Sequence, residues 1–110
     1  MEHSTPAPHA FRLYDLRVTV VAIEGQSVCG MRVGDTFELR GSAITIPAGR
    51  HFCLYALQSV LPLLPAKQRD LQPGDWMNID SLVACPDPEE RVIMRIERIG
   101  ERTFRTEDVT

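Results

Sequence analysis

The stretch that decides the fold is residues 47–65, PAGRHFCLYALQSVLPLLP, the most apolar segment of the chain. Its apolar side chains recur at intervals of three and four residues, as in Phe52 and Ala56, which is the spacing of one helical face. The apolar face is broad, so we expect a helix that is covered on most sides. Because Pro62 would remove a hydrogen bond from the interior of that helix, the sequence predicts an end or kink near Leu61, with Pro65 closing the helix.

Alternating apolar and polar residues predict β-strands on both sides of this helix. The alternating segments before the helix are residues 13–23 and 36–40. The clearest one after it is residues 91–99, in which we expect Val92, Met94 and Ile96 to share one face. Residues 81–85 precede that last segment and predict an antiparallel hairpin with it. Together these elements predict a small α+β fold, a mostly antiparallel sheet packed around one central helix.

The flanking segments predict the limits of one domain. Residues 1–10 lack apolar periodicity and contain two prolines, so we expect a disordered tail. Residues 11–100 form the single α+β domain of this interpretation, and residues 101–110 form a polar C-terminal tail. We expect three apolar side chains of the intervening loops to pack back on the core: Trp76, Ile79 and Leu82.

Composition excludes several classes of function. A chain of 110 residues fits one domain, and its 44% hydrophobic residues can build a core. The formal net charge of −3 and the scattered basic residues argue against nucleic-acid binding. The apolar run is too short for a membrane span. Without an apolar signal segment or a dense set of cysteines, we expect a cytoplasmic protein with free thiols.

Three cysteines stand beside structural breaks and are the main candidates for chemistry. Cys29 follows a strand in a glycine loop, Cys53 falls in the predicted first turn of the helix, and Cys85 ends a strand before Pro86. If they converge, they predict a thiolate-bound metal such as zinc, with His51, Asp87 or solvent completing the ligands. The spacing contains no Cys-x-x-Cys, so the metal pattern is weak. Simple packing in the core carries the most weight, and a reactive thiol is the next alternative.

Cys53 is the best candidate for a reactive thiol, with His51 beside it as a catalytic candidate. A helix N-terminus carries partial positive charge and free N–H groups, which favour a thiolate. Arg50 and His51 precede it and add to this charge if they fold back over that end. The acidic turn at Asp87, Glu89 and Glu90 predicts instead a rigid, solvated bend rather than a cation site.

Five short motifs follow one another in a definite order. They are Cys29, Val33-Gly34-Asp35, Cys53-x-x-Ala56-Leu57, Cys85-Pro86-Asp87 and Arg95-Ile96-Glu97-Arg98. In this order the chain resembles a family of small, single-domain prokaryotic proteins of uncharacterised function, over about residues 16–99. The resemblance implies that the three cysteines belong together, and it supplies no reaction.

The sequence therefore leaves two functional hypotheses. One is a small cytoplasmic domain of unknown specific activity, with a thiol or metal site near the helix N-terminus and a small-molecule ligand. The other is a non-catalytic binding or accessory module whose cysteines only pack the core. We expect no nucleic-acid or membrane partner. We also expect a homodimer, because residues 91–99 look like an exposed edge strand that can pair.

Overall fold

The fold is built on a five-stranded antiparallel sheet with the strand order β3-β2-β1-β5-β4. The computed structural model describes residues 9–79 and 81–108. The strands are β1 (Ala10–Ile23), β2 (Thr36–Arg40), β3 (Ala43–Thr45), β4 (Ser81–Ala84) and β5 (Val92–Arg105). The main helical segment lies between β3 and β4, and the predicted α+β class is confirmed.

The helical segment runs from Leu54 to Lys67 and changes character at its prolines. Helix α1 (Leu54–Val60) passes into a 3-10 turn (Leu61–Leu63), and helix α2 (Leu64–Lys67) follows. The predicted change near Leu61 is confirmed, but Pro65 does not close the segment. Each proline falls in the first two positions of its new helical turn, where the missing N–H costs no hydrogen bond.

The core lies between this helical segment and one face of the sheet. Its strand residues are Leu16, Val18 and Val20 of β1, Phe37 and Leu39 of β2, and Val92, Met94 and Ile96 of β5. The helices add Ala56, Val60 and Leu64. The prediction that Val92, Met94 and Ile96 share one face is confirmed. The helix is not covered on most sides, however, because Leu54 and Tyr55 are about 60% exposed.

The opposite face of the sheet is polar, and no helix of residues 9–79 and 81–108 packs on it. Arg17 of β1 lies between Glu38 of β2 and Glu97 of β5 in the strand register. The Arg17 guanidinium binds the Glu38 carboxylate at 3.0 Å. An antiparallel sheet commonly packs one face on the core and leaves the other in water. The molecule is therefore one helical layer on one sheet.

The predicted packing of Trp76, Ile79 and Leu82 on the core is wrong. These three side chains are 65%, 68% and 63% exposed. Leu82 lies on the edge strand β4 and pairs with the exposed Arg95, so its side chain belongs to the face away from the core. The segment before β4 is held by a polar contact instead. The buried Lys67 ammonium donates to the main-chain oxygen of Ile79 at 2.6 Å.

Strand β5 lies inside the sheet, between β1 and β4, so the predicted free edge at residues 91–99 is wrong. The hairpin of residues 81–85 with residues 91–99 is confirmed as the antiparallel pair β4–β5. The free edges of the sheet are β3 and β4. The error arises because sequence alternation does not reveal on which side a strand lacks a neighbour. The strand that covers this side of β5, β4, is short.

The predicted C-terminal tail is partly strand, since β5 continues to Arg105 and pairs with the first residues of β1. This two-stranded ribbon extends the molecule to 56 × 33 × 18 Å. The predicted N-terminal tail, residues 1–10, falls largely outside the described residues, and Ala10 already belongs to β1. In the described part of the chain, no helix has the length and apolar character that crossing a membrane requires.

Candidate functional site

The site is built on the segment between β1 and β2, residues 24–35, here called the Cys29 loop. Its first residues continue the pairing of β1 with the turn that precedes β5. The Gly25 N–H donates to the Glu90 carbonyl at 2.9 Å, and the Gln26 N–H donates to the Glu89 carbonyl at 3.1 Å. A Cβ atom at Gly25 would lie 1.9 Å from the Glu89 carbonyl oxygen. The close approach of these two segments therefore requires glycine at this position.

The Cys29 loop also lies against residues 50–53, which lead into α1. The Cys53 N–H donates to the Met31 sulfur at 3.4 Å. The His51 Nε2 atom lies 2.7 Å from the Cys29 carbonyl oxygen. Each contact joins residues that are 22 positions apart in sequence, and together they bring the backbone of Cys29 next to the start of the helix.

A buried ion pair fastens the far end of the Cys29 loop. The Asp35 carboxylate accepts from the Arg50 guanidinium at 2.7 and 3.0 Å and from the Arg32 N–H at 2.8 Å. Asp35 is 8% exposed. The hydrogen bonds from Arg50, with a smaller contribution from the Arg32 N–H, hold the pKa of Asp35 below its usual range. The ion pair therefore joins the Cys29 loop to residues 50–53.

Cys29 and Cys53 are both free, half-buried thiols that pack against the core. Burial is the largest cause that raises the pKa of the Cys29 thiol, and interaction with the neighbouring Cys53 thiol raises it further. The Ser27 hydroxyl, 3.6 Å from the Cys29 sulfur, acts in the opposite direction.

Glu90 completes the surroundings of Cys29 and was missed by the sequence interpretation, which predicted a solvated bend. Its side chain is buried, at 5% exposure, whereas the adjacent Glu89 is exposed. One carboxylate oxygen accepts from the Val28 N–H at 3.0 Å, and the other lies 3.7 Å from the Cys29 sulfur. Nothing in the order of two adjacent glutamates signals which of them points inward.

Cys85 has a different environment from the other two cysteines. It is buried in the core, and its sulfur accepts from the Val92 N–H at 3.3 Å. Among residues 9–79 and 81–108, no three His, Cys, Asp or Glu side chains meet in an arrangement that would hold a metal ion. The predicted metal set of Cys29, Cys53 and Cys85 therefore gains no support. The structure brings Cys29 and Cys53 together and gives Cys85 a packing role.

Cys53 does not lie in the first turn of the helix, as predicted, but caps it. Its backbone is extended, with φ −62° and ψ 132°, and α1 begins at Leu54. The two neighbouring basic side chains contact other groups, since Arg50 binds Asp35 and the exposed His51 ring contacts a carbonyl oxygen of the Cys29 loop. The two basic side chains that precede Cys53 in sequence therefore contact other groups rather than its sulfur.

An open cavity of about 330 Å³ lies on the β1–β5 ribbon. It is lined by Ala10, Phe11, Arg12, Asp70 and Thr103. Its charged groups already neutralise each other, because the Arg12 guanidinium binds the Asp70 carboxylate. The cavity contains no thiol, so the Cys29–Cys53 pair is the better candidate for chemistry.

No family model, curated protein or solved structure matches this chain. The resemblance to uncharacterised prokaryotic proteins therefore stays a prediction.

Proposed function

We propose that this chain is a small thiol domain in which Cys29 and Cys53 act together as a dithiol site. The contact between the Cys29 loop and residues 50–53 carries this proposal, because it keeps two half-buried thiols next to each other. A pair of neighbouring thiols can close to a disulfide and open again, or chelate a soft cation between two sulfurs. Both reactions suit a reducing compartment such as the cytoplasm.

The dithiol replaces the three-cysteine zinc site as the preferred form of the proposal. Zinc in proteins takes four ligands, or three with one open position. Cys85 already accepts a main-chain N–H and packs in the core, which leaves two thiols for such a site. His51 contacts a carbonyl oxygen rather than a sulfur, so its role is to hold the Cys29 loop rather than to act on a substrate.

Alkylation by iodoacetamide tests the proposal, with each cysteine followed by mass spectrometry in native and denatured protein. We expect Cys29 and Cys53 to react in the native protein and Cys85 to react only after denaturation. Replacing Cys53 by serine should alter the reaction rate of Cys29, because the two thiols interact. Cys85→Ala is the matched control and should leave both rates unchanged. If none of the three thiols reacts in the native protein, the dithiol proposal fails.

Elemental analysis of the purified protein tests the remaining metal hypothesis on the same sample. We expect less than one equivalent of zinc per chain, because the described residues offer no three-ligand cluster. A full equivalent that is lost on replacing Cys85 would restore the three-cysteine site.

The second candidate is a binding or accessory module, and the exposed apolar side chains near β4 favour it. Trp76, Ile79 and Leu82 are each more than 60% exposed. A variant without thiols that keeps its fold and its binding partner would support this candidate, and we propose a second copy of the chain as that partner.

A further inference from the structure

Glu90 is a buried acid whose position beside a thiol has no explanation in packing alone. Burying a carboxylate is costly unless its oxygens are hydrogen-bonded. One oxygen accepts from the Val28 N–H at 3.0 Å. The other faces the sulfur of Cys29 at 3.7 Å, a distance that fits a hydrogen bond from a thiol, which is a weak donor. The carboxylate is thus aimed at the proton of Cys29.

Glu90 lies on a hydrogen-bonded turn, which fixes the orientation of its carboxylate towards the Cys29 sulfur. The Glu90 N–H donates to the Asp87 carbonyl at 3.2 Å, and the Glu90 carbonyl accepts from the Gly25 N–H. Arg91 follows in a left-handed conformation with φ 47°, which only a well-held backbone imposes on a residue other than glycine. The turn therefore fixes the main chain on which the carboxylate is mounted.

Building on the proposed dithiol function, we propose that Glu90 is the general base that takes the proton of Cys29 when Cys29 and Cys53 close to a disulfide. The oxidant in this proposal is a low-molecular-weight disulfide, and the reaction is thiol–disulfide exchange. A general base must lie within reach of the proton that it removes, and the Glu90 carboxylate meets this requirement in the resting structure.

The reaction proceeds in two balanced steps. The Cys53 thiolate, having lost its proton to water, attacks one sulfur of the external disulfide, and the other sulfur leaves as a thiolate. Cys29 then attacks the Cys53 sulfur while its proton passes to Glu90, and the second half of the external disulfide leaves as a thiolate. Glu90 returns its proton to water or to that thiolate. The protein has lost two electrons and two protons, and the external disulfide has become two thiols.

The second step is the one that needs a base. Burial raises the pKa of the Cys29 thiol above its ordinary value, so Cys29 stays protonated near neutral pH. A thiol attacks only as the thiolate. When Glu90 takes the proton during the attack, the negative charge on the Cys29 sulfur develops only as the new bond forms. No free thiolate then has to persist in a half-buried position beside a carboxylate.

The experiment follows oxidised glutathione with the full chain, using acid quenching and mass spectrometry. In the wild type we expect the glutathione adduct on Cys53 to appear briefly and to convert to the Cys29–Cys53 disulfide. In Glu90→Gln the adduct should form normally but convert on the order of 100-fold more slowly, the lower end of what a positioned base supplies. Glu89→Gln is the matched control, because Glu89 is exposed, and should convert at the wild-type rate.

The outcomes separate this inference from the proposed function. If the wild type forms no adduct and no disulfide, the dithiol function itself fails. If the disulfide forms and folded Glu90→Gln converts the adduct at the wild-type rate, Glu90 is not the base. Circular dichroism checks that the variant is folded, and Glu90→Asp, whose carboxylate is one methylene shorter, gives a second slowed variant. The wild type gives a second test, because a step in which a proton is transferred should be slower in D₂O than in H₂O. If the adduct converts to the disulfide at the same rate in both solvents, the proposal is overturned.

Discussion

Two buried carboxylates, Asp35 and Glu90, hold the Cys29 loop in place. Asp35 binds the Arg50 side chain and the Arg32 N–H, and Glu90 binds the Val28 N–H. Hydrogen bonds to a charged acceptor contribute more than neutral ones, about 1.5–3 kcal/mol each. The position of Cys29 next to Cys53 therefore depends on side chains outside the thiol pair, and Glu90 lies 61 residues from Cys29 in sequence.

Asp35→Asn should lower the free energy of unfolding at pH 7 by about 1–3 kcal/mol, because the amide loses the ionic contact with Arg50. Urea denaturation between pH 2 and pH 7 measures this. The pKa of Asp35 is lowered by folding. Its contribution is therefore complete above the unfolded pKa of about 3.9 and is lost as the pH falls through the lower folded pKa. The variant should lack this part of the acid-induced loss.

Asp70→Asn is the control for that prediction. Asp70 also has a lowered pKa, caused first by the Tyr14 hydroxyl and then by Arg12, but its side chain is 57% exposed. Solvent-exposed ion pairs contribute little to stability. If Asp70→Asn lowers the free energy of unfolding more than Asp35→Asn does, the Asp35–Arg50 pair is not the contact that holds the Cys29 loop.

At the scale of elements, the crossing of the Cys29 loop with the turn before β5 decides the site. Their main chains hydrogen-bond directly at Gly25 and Gln26. The crossing works because Gly25 has no side chain, and it carries Glu90 to Cys29. A single glycine thus couples a loop to a turn more than sixty residues later in the chain.

Gly25→Ala should destabilise the protein by about 1–3 kcal/mol, since the added methyl overlaps the Glu89 carbonyl oxygen and the backbone must shift. It should also speed the alkylation of Cys29, because the displaced loop exposes the half-buried sulfur to the reagent. Thermal unfolding and timed alkylation measure the two effects. Gly100→Ala is the control, as a Cβ there would meet only the Asp15 side chain at an ordinary 3.6 Å. Equal effects of the two substitutions would refute this account.

At the scale of the whole molecule, the two free edges of the sheet differ in character. Strand β3 has three residues, all exposed, and its central residue is Ile44. Strand β4 contains the exposed Leu82 and is preceded by the exposed Ile79. Unpaired strand edges promote association, and charged side chains prevent it. The expected homodimer therefore moves from residues 91–99, where Ile93–Ile96 lie paired between β1 and β4, to the edge of β4.

Light scattering tests this dimer, and we expect the mass of two chains at micromolar concentration. Ile79→Lys should give a monomer, because it puts a charge beside the pairing edge. Ile44→Lys, which places the same charge on the β3 edge, is the matched control and should leave the dimer intact. A monomeric wild type at high concentration would remove the proposal.

The sequence by itself determined the elements. The alternation in residues 91–99 and the three- and four-residue spacing before Leu61 are local patterns, and each reports which face of its own element is apolar. These patterns were sufficient for the α+β class, the β4–β5 hairpin and the shared face of Val92, Met94 and Ile96. Local patterns do not show which other segments pack against an element. For this reason the free edge at residues 91–99 and the burial of the helix on most sides were predicted wrongly.

Only the tertiary structure decided the site. Cys29, Cys53 and Glu90 are brought together across as many as 61 residues of chain, by a glycine that permits close approach and by an ion pair at Asp35. The same structure separated the cysteines into a neighbouring pair and a core residue, Cys85. It also chose the inward glutamate from two adjacent ones. Proximity of this kind arises from packing between distant segments, and no local periodicity encodes it.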